Sequence, residues 1–69
     1  MAKRTKTRND TLLEVVGDRA LAKVRLNWYA ARIRRDQMTR RYGVWMQECL
    51  GAWRIYLHDR ELHQEQQAS

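Results

Sequence analysis

Residues 44–58, VWMQECLGAWRIYLH, carry the clearest periodic pattern of the chain. At the helical angle of about 100° per residue, eight apolar side chains fall on one arc about 160° wide, opposite a mainly polar face. The pattern predicts an amphipathic C-terminal helix. Because the arc is wider than the stripe of about 100° that one neighbour needs, we expect it to contact a second subunit as well. The arc consists of Trp45, Met46, Cys49, Leu50, Ala52, Trp53, Tyr56 and Leu57.

The middle of the chain, residues 10–42, admits two helical interpretations. Apolar residues at alternating spacings of three and four favour one long helix, as in a coiled coil or a helical hairpin. A straight helix would leave a second apolar stripe exposed, whereas a break near Asn27 would let both stripes face inward. The first stripe includes Leu21, Val24, Trp28 and Ala31, and the second is Ala22, Leu26, Tyr29 and Ile33.

The broken form divides this segment into three short helices, over residues 10–16, 19–26 and 29–42. Asp18 would be the N-cap of the second helix, since its side chain can accept a hydrogen bond from the first turn. Gly43 would follow the third helix, whose last turn is rich in arginine, as glycine commonly does at helix C-termini.

Both interpretations place the chain in the all-α class, as a small helical domain that is either helix-turn-helix-like or a long-helix hairpin. Proline is absent, and no segment alternates strand-forming with polar residues. We expect a flexible basic arm over residues 1–9, a single helical domain over 10–63 and a polar tail over 64–69. With 69 residues and one cysteine, the chain has a small core and no intrachain disulfide, so a homodimer is expected.

Charge is distributed unevenly along the chain. Residues 1–43 hold 12 basic and 4 acidic side chains, whereas residues 44–69 hold 2 basic and 4 acidic ones. Arginine outnumbers lysine by 11 to 3, and its planar guanidinium suits phosphates and guanine edges. This distribution favours one part that contacts a polyanion and a separate part that packs.

Residues 15–35, VVGDRALAKVRLNWYAARIRR, resemble helix-turn-helix proteins of the Fis type and small lambdoid-phage regulators. The resemblance covers about residues 12–35. These families show a glycine, an apolar-small helix, a turn and a basic recognition helix, so the resemblance implies that residues 30–41 enter a DNA major groove. The positions that match the pattern are Gly17, Ala22, Leu26, Asn27, Trp28 and Ile33.

The candidate nucleic-acid-binding residues divide by the contact expected of each. The implied recognition helix would contact base edges, since arginine pairs with guanine and glutamine with adenine. Other residues would contact phosphates, and those of the arm would enter the minor groove or follow the backbone. The base-edge set is Arg32, Arg34, Arg35 and Gln37, the phosphate set is Arg19, Lys23, Arg25, Thr39, Arg40 and Arg41, and the arm set is Lys3, Arg4, Lys6 and Arg8.

These features predict a small basic helical DNA-binding protein, such as a phage or mobile-element regulator. The alternative is a helical protein that binds a host or partner protein through its apolar helix face. A third hypothesis is RNA binding by the arginine-rich N-terminal part. The dimer or partner interface would be formed by Trp45, Met46, Cys49, Leu50, Trp53, Tyr56 and Leu57.

Catalysis, a bound metal and a cofactor are not expected. His58 and His63 are five residues apart, a spacing that does not place two metal ligands on one helix face. Cys49 has apolar neighbours, which predicts a buried and unreactive thiol. The chain has no run of about 18 apolar residues that would span a membrane, and a single cysteine is consistent with a reducing cytoplasm.

Overall fold

The computed structural model of the protein describes residues 6–61, which fold into one helix packed on a three-stranded antiparallel sheet. The sheet order is β1-β3-β2, so the last strand is central and pairs with both edge strands. The prediction of an all-α fold is therefore wrong. In chain order the elements are β1 (Asp10–Val16), α1 (Arg19–Arg35), β2 (Tyr42–Cys49) and β3 (Ala52–Asp59).

The segment predicted as an amphipathic C-terminal helix is the hairpin of β2 and β3, so that prediction is also wrong. Cys49 pairs with Ala52, and the two-residue turn between them has positive φ at both Leu50 (54°) and Gly51 (81°). Two positive φ values are typical of a type I′ turn, whose twist matches that of the paired strands. Gly43, predicted to follow a helix, lies inside β2.

The middle segment is neither one long helix nor three short ones. Residues 10–16, predicted as the first helix, form β1 and pair with β3. The helix α1 continues through Asn27 without a break, so the helix-turn-helix implied by the resemblance is wrong. One local prediction is confirmed, because Asp18 is the N-cap and accepts a hydrogen bond of 2.8 Å from the Leu21 N–H.

The helix α1 ends in a Schellman motif in which Gln37 occupies the position usually taken by glycine. The Gln37 N–H donates to the Arg34 carbonyl at 3.0 Å, and the Met38 N–H donates to the Ile33 carbonyl at 2.9 Å. Gln37 accordingly has a left-handed φ of 59°. The predicted recognition helix, residues 30–41, is therefore helical only in its first half, and its second half is a loop that leads to β2.

The core lies between α1 and one face of the sheet. Ile55 in the central strand and Ala22 in α1 are fully buried, and Val16 at the end of β1 is 5% exposed. The short side chain of Ala22 lets the helix approach the sheet closely, as dense packing of the interior requires. Five half-buried residues pack against this cluster, namely Leu13, Leu26, Tyr29, Met46 and Trp53.

The two apolar stripes of α1 have different environments. One faces the sheet, and the other leaves three large apolar side chains in solvent. Leu21, Val24 and Trp28 are 52%, 61% and 45% exposed. An unbroken helix is expected to leave one of its two stripes exposed, and the exposed stripe is the one with Leu21, Val24 and Trp28. The stripe on the sheet side is Ala22, Leu26, Tyr29 and Ile33.

The other face of the sheet is not covered by any element within residues 6–61. A buried carboxylate, that of Asp10, lies on this face at the start of the edge strand β1. Asp10 Oδ1 accepts a hydrogen bond of 3.0 Å from Trp45 Nε1 and lies 2.9 Å from His58 Nδ1, while Oδ2 accepts one of 2.8 Å from the Thr7 N–H. The Trp45 ring stacks on Tyr56 with a centroid distance of 4.8 Å. Burial raises the pKa of Asp10, but these hydrogen bonds outweigh it and lower the pKa to about 2.

Parts of the predicted arm and tail lie outside the described residues. These parts are residues 1–5, with Lys3 and Arg4, and residues 62–69, with His63 and the predicted tail. Asn9, the last residue of the predicted arm, is buried, and its amide donates to the backbone carbonyl of Asp59 at 2.9 Å. Within the described part of the chain, α1 is too short and too polar to cross a membrane.

Candidate nucleic-acid interface

The helix α1 carries six basic side chains and no acidic one, which equals the formal net charge of +6 of the whole chain. Arg25 is the basic residue of α1 that pairs with a carboxylate inside residues 6–61. The other five are exposed and have no carboxylate partner there. These five are Arg19, Lys23, Arg32, Arg34 and Arg35.

Glu14 holds Arg25, the paired basic residue of α1, against the sheet. The Arg25 Nε–H donates to Glu14 Oε1 at 3.0 Å, and the Tyr29 hydroxyl donates to the same oxygen at 2.8 Å. The hydrogen bonds from Tyr29 and Arg25 lower the pKa of Glu14, and the bond to Glu14 raises the pKa of Arg25. Arg25 is therefore a fixed cation at the boundary between the inner and outer sides of α1.

Trp28 is the exposed aromatic side chain of α1, and two arginines flank its ring. The guanidinium carbons of Arg25 and Arg32 lie 4.9 and 5.5 Å from a ring centroid of Trp28, within the range of cation–π attraction. Tyr29 contacts the same indole edge-on, at 5.0 Å. These contacts hold the indole in place, and its side chain remains 45% exposed.

A second group of arginines lies at the C-terminal end of α1. Arg41 bridges two carboxylates, with Nε 3.4 Å from Asp59 Oδ1 and Nη1 3.6 Å from Glu61 Oε2. The hydrogen bond to Asp59 raises the pKa of Arg41. Arg60 follows β3, and its Nη1 donates to the Thr39 carbonyl at 3.0 Å. Arg60 was not a candidate from the sequence, because it lies in the half with net negative charge.

The structure brings together only part of the predicted nucleic-acid-binding set. Six of its members share α1, whereas Gln37 lies in the Schellman turn and is separated from the helical base-edge candidates. Thr39, Arg40 and Arg41 belong to the loop before β2. Lys6 and Arg8 are exposed residues that precede β1, and the remaining two arm residues lie outside residues 6–61.

The predicted dimer or partner interface does not form one surface. Neighbouring residues of a strand point to opposite faces of the sheet, so β2 and β3 divide the set between the two faces. Leu50 belongs to neither face, since it forms the turn and is 98% exposed. Met46, Trp53 and Leu57 lie on the helix-covered face, and Trp45, Cys49 and Tyr56 lie on the other.

The exposed arginines can bind phosphate oxygens. The indole of Trp28 can stack on a base. Within residues 6–61, no group of three potential metal-binding side chains lies together. The protein was also compared with models of protein families, with curated proteins and with solved structures, and none of them matches it.

Proposed function

We propose that the protein binds nucleic acid through the outward side of α1 and the arginine-rich loop that follows it. The observation that carries this proposal is the concentration of charge on one helix. Five cationic side chains of α1 have no carboxylate partner within residues 6–61. Phosphates would neutralise these side chains and release their counterions, which is the main source of affinity in nucleic-acid binding.

Duplex DNA is the form of nucleic acid that a helix can contact most deeply. A helix fits the major groove of B-form DNA, about 12 Å wide, whereas the major groove of duplex RNA is too narrow for side chains to read. Within this arrangement, Arg32 and Arg35 on the outward side remain candidates for base edges. Arg19 and Lys23 remain candidates for phosphates.

The proposal is tested by fluorescence anisotropy with labelled duplex DNA, duplex RNA and single strands. We expect duplex DNA to bind most tightly, with a log–log salt slope of about −3 for phosphate contacts of Arg19, Lys23 and Arg40. Arg19→Gln should reduce the affinity and lower the slope by about 1, because Arg19 is a candidate for a phosphate contact. Arg54→Gln is the matched control, because Arg54 lies on the face of the sheet opposite α1. Sedimentation equilibrium of this variant verifies that its oligomeric state is unchanged. No binding to any form at about 50 mM salt would contradict the proposal.

A partner protein is the second candidate, and the exposed apolar stripe of α1 is the observation that favours it. Leu21, Val24 and Trp28 form a continuous outward surface of the kind that docks in a hydrophobic groove. Flanking arginines would then contact an acidic rim. Binding by this stripe would be weakened by Val24→Ser, a change that leaves the charge and therefore the salt slope unaltered. RNA binding by the N-terminal arm is the third hypothesis, and its Lys3 and Arg4 lie outside the described residues.

We also propose that the protein is cytoplasmic and forms a homodimer. The single cysteine is unpaired, which fits a reducing compartment. The uncovered sheet face presents Leu12 and Val15, which are 45% and 53% exposed, and a second copy would remove them from water. Sedimentation equilibrium at micromolar concentration should give twice the chain mass of 8.4 kDa. A folded monomer at that concentration would contradict the dimer.

A further inference from the structure

A cleft lies where the end of α1, the loop before β2 and the end of β3 meet. It has a volume of about 280 Å³, and four of its lining residues, Arg34, Thr39, Gly43 and Arg60, are named here the phosphate cleft. A neighbouring cavity of about 360 Å³ shares Arg60 and is also lined by Arg40, Arg41 and Glu61. Residues far apart in the sequence therefore converge on one concave surface.

Because Gly43 has no side chain, it leaves the space in the cleft that the guanidinium of Arg60 occupies. A Cβ built on Gly43 would lie 2.8 Å from Arg60 Nη2, closer than real side chains approach. The φ of Gly43 is not positive, so the backbone conformation does not demand glycine. Glycine inside a strand lowers stability, and the benefit visible here is the space that Arg60 fills.

The orientation of Arg60 leaves donors free in the cleft. Its Nη1 donates to the Thr39 carbonyl at 3.0 Å, which fixes the plane of the guanidinium. Arginine has five N–H donors, so most of them remain for a ligand. The guanidinium is therefore positioned before any anion arrives.

The charge in the cleft is not neutralised by the described part of the protein. Within residues 6–61, neither Arg34 nor Arg60 pairs with a carboxylate. The nearby carboxylates of Asp59 and Glu61 both contact Arg41. The negative end of the α1 dipole lies nearby, but it amounts to about half a charge. The two guanidinium groups of Arg34 and Arg60 outweigh it, so the cleft attracts anions.

We infer that the phosphate cleft binds one phosphate group of the nucleic acid, with Arg34 and Arg60 as the two principal donors. The inference rests on the proposed function and adds a specific site to it. A phosphate has several oxygens that accept from planar guanidinium groups, often two bonds at a time. A backbone phosphodiester presents two non-bridging oxygens and a terminal phosphate three, so either can accept from both guanidinium groups.

Gly43→Ala tests the cleft without any change of charge. The added methyl displaces the end of a flexible side chain and not backbone, so the melting temperature should not fall. We expect the affinity for inorganic phosphate, followed by NMR shifts of the Arg34 and Arg60 Nε–H groups, to drop by about threefold, and Arg60→Ala to lower it by about tenfold. Arg19→Ala removes the same charge at the other end of α1 and should leave phosphate affinity nearly unchanged.

Arg60→Lys keeps the charge but removes the planar fork, so it should weaken phosphate binding to a similar extent as Gly43→Ala. Oligonucleotides with a 5′-phosphate or a 5′-hydroxyl then distinguish a terminal phosphate from one in the backbone. The cleft is not the phosphate site if Arg60→Ala and Arg19→Ala lower the phosphate affinity equally while Gly43→Ala and Arg60→Lys leave it unchanged. That result would not contradict nucleic-acid binding by α1. If the unmodified protein binds no nucleic acid but its cleft binds phosphate, the proposed function fails and the site stands.

Discussion

The inward and outward sides of α1 contain similar apolar residues, but the inward residues pack on the sheet and the outward residues are exposed to solvent. The inward stripe, with Ala22 and Leu26, meets the sheet and is part of the core or packs against it. The outward stripe, with Val24 and Trp28, stays in solvent beside unpaired arginines. Apolar spacing along a helix therefore identifies candidate faces, whereas the position of the neighbouring sheet determines which face is buried.

The largest expected effect separates the core from the outward stripe. Ile55 is fully buried beneath α1, so Ile55→Ala should lower the free energy of unfolding by about 3 kcal/mol. In so small a domain this change should unfold a large part of the population at 25 °C. Val24→Ala, the control on the outward side, should change stability by at most about 0.5 kcal/mol. Urea denaturation followed by circular dichroism measures both, and equal losses would contradict the assignment of the two sides.

Acid should destabilise the protein through the uncovered face of the sheet. The pKa of Asp10 is about 2 in the folded protein and 3.8 in the reference state, so its contribution is full above pH 4 and is lost as the pH falls towards 2. The difference corresponds to about 2 kcal/mol. Asp10→Asn should lower stability at pH 6 and flatten the pH dependence between 4 and 2. An unchanged acid profile in this variant would show that other carboxylates determine it.

The smallest effects concern two turns whose conformation disfavours the residue present. Gln37 and Leu50 have positive φ, which costs a side-chain-bearing residue about 1 kcal/mol relative to glycine. Gln37→Gly should therefore raise stability by up to about 1 kcal/mol. Leu50→Asn should raise it comparably, because Asn-Gly is the preferred pair in a type I′ turn. Thermal melts should show a rise of several degrees for each change, and a fall would contradict the turn geometry.

The start of α1 could be predicted because its signal is local. Asp18 precedes the first turn and caps it with its own side chain, a pattern that does not depend on the rest of the fold. The six basic residues of α1 were likewise visible in the sequence, since charge composition needs no tertiary structure. Which of the two apolar stripes is buried could not be predicted, because that depends on where the sheet lies.

The hairpin could not be predicted because two strand signals are hidden. Apolar residues occupy both faces of β2, with Val44 and Met46 on the covered face and Trp45 on the other, so the alternation of period two is lost. The turn holds Leu50 where asparagine would have marked it. Arg60 was missed for a related reason, since only the pairing of β3 with β2 brings it to the end of α1.

Trp28→Ala tests the central claim, that the outward side of α1 binds nucleic acid and the inward side maintains the fold. Melting temperature and duplex-DNA affinity are measured on the same sample, with Leu26→Ala as the control on the inward side. We expect a nearly unchanged melting temperature for Trp28→Ala and an affinity about tenfold lower, because one stacking contact is lost. Leu26→Ala should show a large fall in melting temperature. A Trp28→Ala protein that melts well below the unmodified one and binds DNA with unchanged affinity would contradict the account.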